Sequence, residues 1–426
     1  MKQKEIITFG CRLNIFESEV IREHYEKARL KNTIIINTCA VTSEAVRQAR
    51  QKIRNTFRKN PNHKIVVTGC AAQLDPKSFS KMPEVYQVLG NKEKLQFSNY
   101  KAINTSNVNE LRVAVSNIME KDESAQKPIL GFGDRSRAFV QIQQGCDHRC
   151  TFCIIPFARG ENRSVLALNV VEQIKNLVRG GFREVVLTGV DICSYGVDLC
   201  GKSLLSDLIR LILADVPELQ RLRLSSLDPA SVGDDFFDIL RDDKRLMPHL
   251  HFSLQSMDDM ILKRMRRRHT SVEMLELANK ARASRPDIVF GADIIAGFPT
   301  ENEKMFRNSL EGIKALGITY LHVFPFSERK GTPASKMPAI DHDVRKNRAG
   351  RLRDIGESQK QHFYNTLVGS SQEVIMEKNN RGLTQHFASI VIETSNFKQK
   401  NIKPGDLVTV KITNIRDGNP IGVVQQ

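Results

Sequence analysis

Short apolar runs alternate with longer amphipathic stretches over most of the 426-residue chain. In residues 1–105, the runs EIITFG, TIIINT and KIVVTG have the length and β-branched character of strands, and helical stretches such as FESEVIREHYEKARL separate them. Strands that alternate with helices pair in parallel, because each crossover returns the chain to the same edge of the sheet. We therefore expect an open parallel α/β domain in residues 1–105.

The same alternation returns after a weakly patterned, polar stretch at residues 106–131, which we interpret as a linker. Strand-like runs then recur as REVVLTG, RLRLSS, HLHFSL, IVFGADII and YLHVFPF, with amphipathic stretches between them. This pattern predicts a second α/β domain over residues 132–365, built on a curved parallel sheet or partial (β/α) barrel. Its functional face is expected at the carboxyl ends of the strands.

The last segment, residues 366–426, loses the helical stretches. The runs SQEVIME, FASIVIE, DLVTVKITNI and PIGVVQ are typical of strands, and the pair Asp417-Gly418 is a hairpin signal. We expect a small all-β domain here. Two roles are open for it: it contacts RNA, or it only caps the core.

Composition narrows the class of protein. Hydrophobic residues make up 40% of the chain and charged residues 26%, which is typical of soluble globular proteins. No apolar run approaches the roughly 18–20 residues of a membrane span, and MKQKEIITFG lacks a signal-peptide core. We therefore expect a cytoplasmic protein without a membrane partner. The net charge of +16 favours a polyanionic partner.

The first candidate site is the cysteine triplet Cys146, Cys150 and Cys153, in CDHRCTFC. It follows the apolar stretch AFVQIQQG, so it is expected in a loop at the functional face of the second α/β domain. Iron and zinc sites usually take four ligands, so three thiolates leave one position open. No fourth Cys or His follows at a zinc-like distance. The alternatives are a zinc site or three unrelated buried cysteines.

A second triplet is spread over the N-terminal domain. Cys11, Cys39 and Cys70 each come directly after a strand-like run. In a parallel sheet these ends share one edge, so three thiols far apart in sequence are predicted to meet in space. The alternative is three small buried side chains. Cys193 and Cys200 show no ligand spacing, and we expect non-ligand roles for both.

The spacing Cys146-x3-Cys150-x2-Cys153, with an aromatic residue before the last cysteine, resembles the signature of the radical S-adenosylmethionine (SAM) family. The resemblance implies that these thiolates hold a [4Fe–4S] cluster and that SAM completes its coordination. The cluster and SAM then supply the chemistry, while the protein supplies binding and orientation. No catalytic residue is predicted beyond the cluster ligands.

Four further positions are candidates for SAM binding. LTGVD (187–191) resembles the family's glycine motif through Gly189, and DIIAGFPTE (293–301), beginning at Asp293, resembles the strand beside the SAM adenine. Ser253 and Gln255 alternate with apolar neighbours and are expected to face inward. The plain alternatives are a turn glycine at Gly189 and ordinary satisfied core groups at the other positions.

The N-terminal triplet is similar to that of the methylthiotransferase family, in which three cysteines hold a second [4Fe–4S] cluster that also takes an outside sulfur ligand. The family's order is this domain, then the radical SAM core, then a small TRAM β-barrel that binds RNA. The three segments here follow the same order. The resemblance implies an enzyme that replaces C–H by C–S–CH3. One SAM methylates sulfur and another provides a radical, with an electron donor and a sulfur source.

The substrate is indicated by finer resemblances. CTFCIIPFARGENRS, LKRMRRRHT and LHVFPFSERKGTPASKM resemble the family members that act on N6-threonylcarbamoyladenosine. This implies tRNA modification, namely methylthiolation of C2 of that nucleoside at position 37. Alternatives are isopentenyladenosine-37 of tRNA and an aspartate of a small-subunit ribosomal protein. A non-catalytic iron–sulfur RNA-binding protein is the alternative from another class.

Two basic stretches are candidates for RNA contact. RQARQKIRNTFRK (47–59) carries basic but no acidic residues, and KRMRRRH (263–269) is denser still. Such side chains neutralise phosphates when they are exposed. The alternative for each stretch is a solvated basic helix face. The candidate contact residues in the second stretch are Lys263, Arg264, Arg266, Arg267 and Arg268.

Overall fold

The computed structural model describes residues 5–105, 112–120, 135–200, 204–393 and 402–425, which form two compact units. The first unit takes the described residues within 1–129, 143–165 and 327–335, and the second unit takes the remainder. The boundaries expected at residues 105, 131 and 365 stay predictions. Most of the expected linker, 106–131, lies outside the described residues.

The first unit contains a five-stranded parallel sheet in the order β1-β2-β3-β4-β5. Its strands are β1 (Ile6–Thr8), β2 (Thr33–Thr38), β3 (Lys64–Gly69), β4 (Gln87–Leu89) and β5 (Val113–Ala114). Its helices are α1 (Arg12–Lys27), α2 (Ser43–Lys59), α3 (Cys70–Leu74), α4 (Pro76–Ser80) and α5 (Phe97–Thr105). The predicted open parallel α/β sheet is confirmed.

Both faces of this sheet are covered. Ile34, Ile36 and Val67 lie in one apolar cluster with helix residue Ile53, whereas Ile35 lies in a second cluster on α1 and α5. Alternate residues of a strand point to opposite faces, so a strand covered on both sides becomes continuously apolar. That explains why TIIINT shows no polar alternation.

After β5 the chain forms β6 (Ala138–Gln141), which belongs to the second unit, and then re-enters the first unit. There β7 (Gln143–Gln144) and β8 (Arg163–Ser164) pair antiparallel and enclose α6 (Ile155–Arg159). Ile154 and Ala158 pack into the same apolar cluster as Ile36. The segment with the clustered cysteines is thus anchored in the core of the first unit.

The second unit contains the expected partial (β/α) barrel. Two parallel sheets run in the orders β10-β9-β6 and β11-β12-β13-β14, and only Ser225 separates β10 from β11 along the chain. The strands are β9 (Glu184–Thr188), β10 (Arg221–Leu224), β11 (Ser226–Leu227), β12 (His249–Gln255), β13 (Val289–Ala296) and β14 (Ile318–Pro325). The helices are α7 (Ala167–Arg179), α8 (Leu205–Asp215), α9 (Asp234–Asp242), α10 (Asp259–Met265), α11 (Ser271–Ser284), α12 (Glu303–Leu316) and α13 (His342–Leu367).

The chain ends in a closed five-stranded barrel of order β15-β16-β17-β19-β18, which confirms the expected all-β C-terminal domain. Its strands are β15 (Ser371–Met376), β16 (Arg381–Thr384), β17 (Ser389–Ile392), β18 (Leu407–Arg416) and β19 (Asn419–Val424). Asp417 and Gly418 join the last two strands with positive φ at both residues, the geometry of a type I′ hairpin. Tyr364 and Leu367 of α13 pack into the barrel core.

A charged group with a buried centre, called here the barrel clamp, joins β9 and β10 to the C-terminal barrel within the second unit. Its members are Arg137, Glu184, Arg221, Arg223, Glu373 and Glu377. Glu184, Arg221 and Arg223 are buried, whereas Glu373 is 54% exposed. Arg223 Nε lies 2.9 Å from Glu184 Oε1, and Arg221 Nη2 lies 3.0 Å from Glu373 Oε1. In the described part of the chain, no helix combines the length and apolar character that a membrane crossing requires.

Candidate functional site

The first unit brings the N-terminal cysteines to one edge of its sheet. Cys11 is the N-cap of α1, Cys39 directly follows β2, and Cys70 is the first residue of α3, directly after β3. Thr38 pairs with Gly69, so the two residues that follow these partners are Cys39 and Cys70. Cys39 and Cys70 are buried and Cys11 is exposed. The predicted common edge is therefore present.

Gly10 makes the close approach at this edge possible. It has φ +90°, and a Cβ built on it would lie 2.8 Å from the Cys39 sulfur. Any larger residue would thus both strain the backbone and displace the thiol. The glycine thus keeps the space beside the Cys39 sulfur clear.

The three sulfurs also influence one another electrostatically. Burial raises the pKa of the Cys39 thiol to about 11, and the nearby Cys70 and Cys11 add to the rise, while Arg159 opposes it. All eight cysteines are described and are thiols rather than disulfides. Three converging sulfurs are a donor set for a positively charged centre, and they fit the thiolate ligation of an iron–sulfur cluster.

The clustered triplet lies in the loop between β7 and α6, also in the first unit. The Cys146 amide donates to Gly160 O at 3.0 Å, and the Cys153 amide donates to Cys150 O at 3.1 Å. Gly145 closes the loop with φ +74°, where a Cβ would lie 1.8 Å from Glu161 O. All three thiols are partly accessible. A loop fixed at its base with accessible thiols fits a cluster that binds an outside ligand.

Sequence reasoning missed a buried polar group beside the N-terminal triplet, called here the cysteine-side network. Its members are Asn14, Glu17, Asn91, Lys94 and Arg159. Arg159 Nε donates to the Cys70 sulfur at 3.2 Å. Burial by itself would raise the pKa of Glu17, but the charges of Arg159 and Lys94 lower it to about 2. The only sequence signal was the position of Arg159 shortly after the clustered cysteines.

The four candidate SAM-binding residues lie in the second unit. Gly189 follows β9 and is half-buried; Ser253 and Gln255 are half-buried on β12 and alternate with buried apolar residues. Gln255 has φ +68° at an irregular register between β12 and β13. Non-glycine residues with positive φ, in the left-handed region of the backbone, often occur at ligand sites. Binding of SAM by these residues stays a prediction.

Asp293, the fourth candidate, lies among two histidines that sequence reasoning did not single out. His251 Nε2 donates to Asp293 Oδ1 at 3.0 Å, and His322 Nδ1 donates to the same oxygen at 3.2 Å. Although burial opposes it, these hydrogen bonds lower the pKa of Asp293 well below its usual range. Three adjacent strands of the barrel thus contribute one polar group each to this position.

The basic stretch on and after α10 is partly engaged inside the second unit. Arg267 is 8% exposed and donates to Asp228 Oδ1 at 3.0 Å and to Ser253 O at 2.8 Å. Arg268 donates to Asp228 Oδ2 at 2.9 Å, and Arg264 donates to Thr300 Oγ1 at 2.8 Å. Lys263, Arg266 and Arg268 are exposed. RNA contact by this stretch stays a prediction.

Two family models match the chain. The Radical SAM superfamily matches residues 140–313, and a family described as uncharacterized protein family UPF0004 matches residues 3–90. The first match covers the clustered cysteines together with most of the barrel strands. The second covers Cys11, Cys39 and Cys70.

Curated relatives match over nearly the whole chain. The threonylcarbamoyladenosine tRNA methylthiotransferase MtaB of Rickettsia prowazekii is 46% identical over 416 residues, covering 98% of this chain and 96% of the relative. The tRNA-2-methylthio-N(6)-dimethylallyladenosine synthase of Roseobacter denitrificans is 30% identical, covering 96% of each chain.

A solved structure agrees with the fold. The radical S-adenosylmethionine methyltransferase TsrM of Kitasatospora setae, solved with cobalamin and a [4Fe-4S] cluster, matches with a TM-score of 0.55. The two chains are 14% identical, and the match covers 78% of this chain and 77% of that one. At this identity the likeness supports the fold alone.

Proposed function

Because this chain belongs to the family of radical SAM threonylcarbamoyladenosine tRNA methylthiotransferases, we propose that it converts N6-threonylcarbamoyladenosine at position 37 of tRNA into its 2-methylthio derivative. The observation that carries the proposal is the pair of cysteine triplets in one unit, one on a sheet edge and one on a loop. The loop triplet alone would serve the radical SAM cluster, so the sheet-edge triplet is the feature that fits a second cluster.

Membership in the family implies a [4Fe–4S] cluster with SAM, and a second cluster. In our proposal Cys146, Cys150 and Cys153 would hold the first, and the triplet at the sheet edge the second. When bound, the first cluster and SAM supply a 5′-deoxyadenosyl radical, which makes an unactivated C–H position reactive.

This chain's own residues bind and orient these groups. The Cys146 and Cys153 amide hydrogen bonds fix the loop backbone, and Gly10 keeps the space beside Cys39 clear. Gly189, Ser253, Gln255 and Asp293 are proposed to contact SAM. The paired histidines keep the Asp293 carboxylate ionised and in one orientation, so it can accept a hydrogen bond without rearranging.

The threonylcarbamoyl substrate is preferred over the isopentenyl one for two reasons. Identity to the Rickettsia relative is 46%, against 30% to the dimethylallyladenosine synthase. The segment Phe157-Ala158-Arg159-Gly160 also departs from the Tyr-Thr-Arg-Gly pattern toward which the isopentenyl group tends. RNA contact is proposed for the exposed Lys263, Arg266 and Arg268 and for the C-terminal barrel. The reaction also requires an electron donor and a sulfur source.

The assignment of the two triplets is tested by iron content and SAM cleavage after anaerobic reconstitution. We expect about eight iron atoms per chain, four for each cluster, and about four in Cys150→Ala and in Cys70→Ala. SAM cleavage should stop in Cys150→Ala and persist in Cys70→Ala, which should lose methylthiolation of tRNA. Cys200→Ala, an exposed cysteine outside both triplets, is the control. Four iron atoms in the unaltered protein would remove the second cluster.

The substrate is tested by nucleoside mass spectrometry of tRNA from a deletion strain. We expect 2-methylthio-N6-threonylcarbamoyladenosine to vanish and its unmodified precursor to accumulate, with restoration by the intact chain but not by Cys150→Ala. Persistence of the methylthio nucleoside contradicts the assignment. Loss of the isopentenyl derivative instead would identify the alternative tRNA substrate.

A further inference from the structure

Arg159 occupies an unusual place for an arginine. It ends α6, shortly after Cys153, and its side chain is 2% exposed in the core of the first unit. Its guanidinium donates to Glu17 Oε1 at 2.8 Å and Glu17 Oε2 at 3.0 Å, and also to Gln144 Oε1 at 2.9 Å. A further donor atom, Nε, lies 3.2 Å from the Cys70 sulfur. One side chain therefore links the segment that carries the clustered triplet to a cysteine of the other triplet.

The charges around Arg159 do not balance without the cysteine. Lys94 Nζ lies 2.6 Å from Glu17 Oε2, and both side chains are fully buried. Lys94 also donates to Asn91 Oδ1 at 2.7 Å, a neutral acceptor. Two buried cations thus share a single carboxylate. A buried charge without a partner costs several kcal/mol, and burial lowers the pKa of Lys94. A nearby anion would therefore offset the excess positive charge.

The Cys70 sulfur is the acceptor in position to be that anion. Besides the guanidinium, Asn91 Nδ2 approaches it at 4.0 Å and donates to Ala158 O at 2.7 Å, which fixes the end of α6. Asn14 accepts from Arg159 and donates to Phe9 O and Thr38 O beside Cys11 and Cys39. The network thus holds both the arginine and the backbone that carries the other two cysteines.

We propose that Arg159 is a positioning residue for the group held by Cys11, Cys39 and Cys70: its hydrogen bond to the Cys70 sulfur orients that ligand and makes the cluster easier to reduce. The inference rests on the proposed function, which places a cluster at these cysteines. Hydrogen bonds to ligand sulfurs and nearby positive charge both favour the reduced, more negative state, and so raise the reduction potential.

The potential is measured by redox titration monitored by electron paramagnetic resonance. The titration uses the Cys150→Ala background, so that only the second cluster gives a signal. In Arg159→Gln we expect the reduced-to-oxidised ratio at the unaltered protein's midpoint to fall about tenfold, a shift of about 59 mV to more negative potential. Arg159→Lys keeps the charge but not the Nε donor, and should shift less. Arg54→Gln removes an equal, exposed charge from α2 in the same unit and should not shift. Midpoints equal to this control in both Arg159 variants overturn the proposal.

A second measurement needs no substitution at Arg159. Protein grown with 15N-labelled arginine should show a nitrogen coupling to the reduced second cluster in pulsed electron paramagnetic resonance spectra. Arg159 Nε lies 3.2 Å from the Cys70 sulfur, close enough to couple to unpaired electron spin on that ligand. A cluster signal without that coupling overturns the role of Arg159 and leaves the proposed function intact, even where Arg159→Gln fails to fold. Absence of any second-cluster signal, with four iron atoms in the unaltered protein, overturns both.

Discussion

The two units each contain a charged group with a buried centre, and the two groups differ in how their charge is balanced. In the barrel clamp, three arginines meet three glutamates, and the remaining donors reach backbone carbonyls such as Leu383 O and Gln385 O. In the cysteine-side network, two cations share Glu17, and Arg159 Nε donates to the Cys70 sulfur. The charges of the clamp balance among its own side chains, whereas in the network a cysteine sulfur accepts from the arginine.

This difference separates a structural role from a functional one. A buried ion group whose charges cancel joins two surfaces and needs nothing further, as the clamp does between β10 and the C-terminal barrel. An excess of buried positive charge is costly and is offset by a nearby negative group. In the first unit the excess lies at the edge where three thiols converge, a position that fits our proposal of thiolate ligands there.

The largest loss of folding stability is expected from Glu17→Gln, which leaves two fully buried cations with no carboxylate. Removal of one partner from a buried ion pair costs about 3–5 kcal/mol, and we expect a loss of that size in the free energy of unfolding of cluster-free protein by urea denaturation. Glu44→Gln, which breaks an exposed pair with Arg47 on α2 in the same unit, is the control and should change little. A loss no larger than the control's would show that Glu17 does not compensate these cations.

Glu184→Gln breaks the clamp and should have a smaller effect near neutral pH. Glu373 still faces Arg221 and Glu377 still faces Arg137, whereas Arg223 keeps the backbone carbonyls Thr384 O and Gln385 O. The loss is therefore that of charged hydrogen bonds, about 1.5–3 kcal/mol. Burial alone would raise the pKa of Glu184, but Arg223, Arg137 and Arg221 lower it to about 2. Folding thus favours the ionised form. This contribution is complete above the usual carboxyl pKa and is lost as pH falls toward the lowered one.

The pH dependence of folding stability tests whether the clamp holds Glu184 in its ionised form. Between about pH 6 and about pH 4, the unaltered protein should lose about 1 kcal/mol more stability than Glu184→Gln, because only the unaltered protein carries this depressed carboxyl. Parallel urea denaturation of both proteins at the two pH values measures the difference. Equal losses in the two proteins would mean that Glu184 is not held ionised by the clamp.

The strand and helix pattern predicted the α/β parts of the fold because their three main sheets are parallel and their strands are local apolar runs. The candidate cysteines were also within reach, since each follows a strand or lies in one short loop. The buried networks were not, because Arg159 and Glu17 are 142 positions apart and no local pattern pairs them. The same limit applies to KRMRRRH: composition indicates a basic surface, whereas the structure turns Arg267 inward onto Asp228. The contacts of His251 and His322 with Asp293 likewise depend on the pairing of β12, β13 and β14, which no local sequence pattern shows.

The smallest effect is expected from Glu377→Gln at the rim of the clamp. Glu377 is 30% exposed and Arg137 17% exposed, and their side chains lie 3.0 Å apart. Water screens such a pair, so its removal should cost about 0–1 kcal/mol by the same urea denaturation. Arg137 also lies 3.6 Å from Glu184 Oε1, so it keeps a buried partner in the variant. A loss as large as that of Glu184→Gln would place the rim pair among the essential partners. The clamp would then depend on each of its charges, as the cysteine-side network is expected to depend on Glu17.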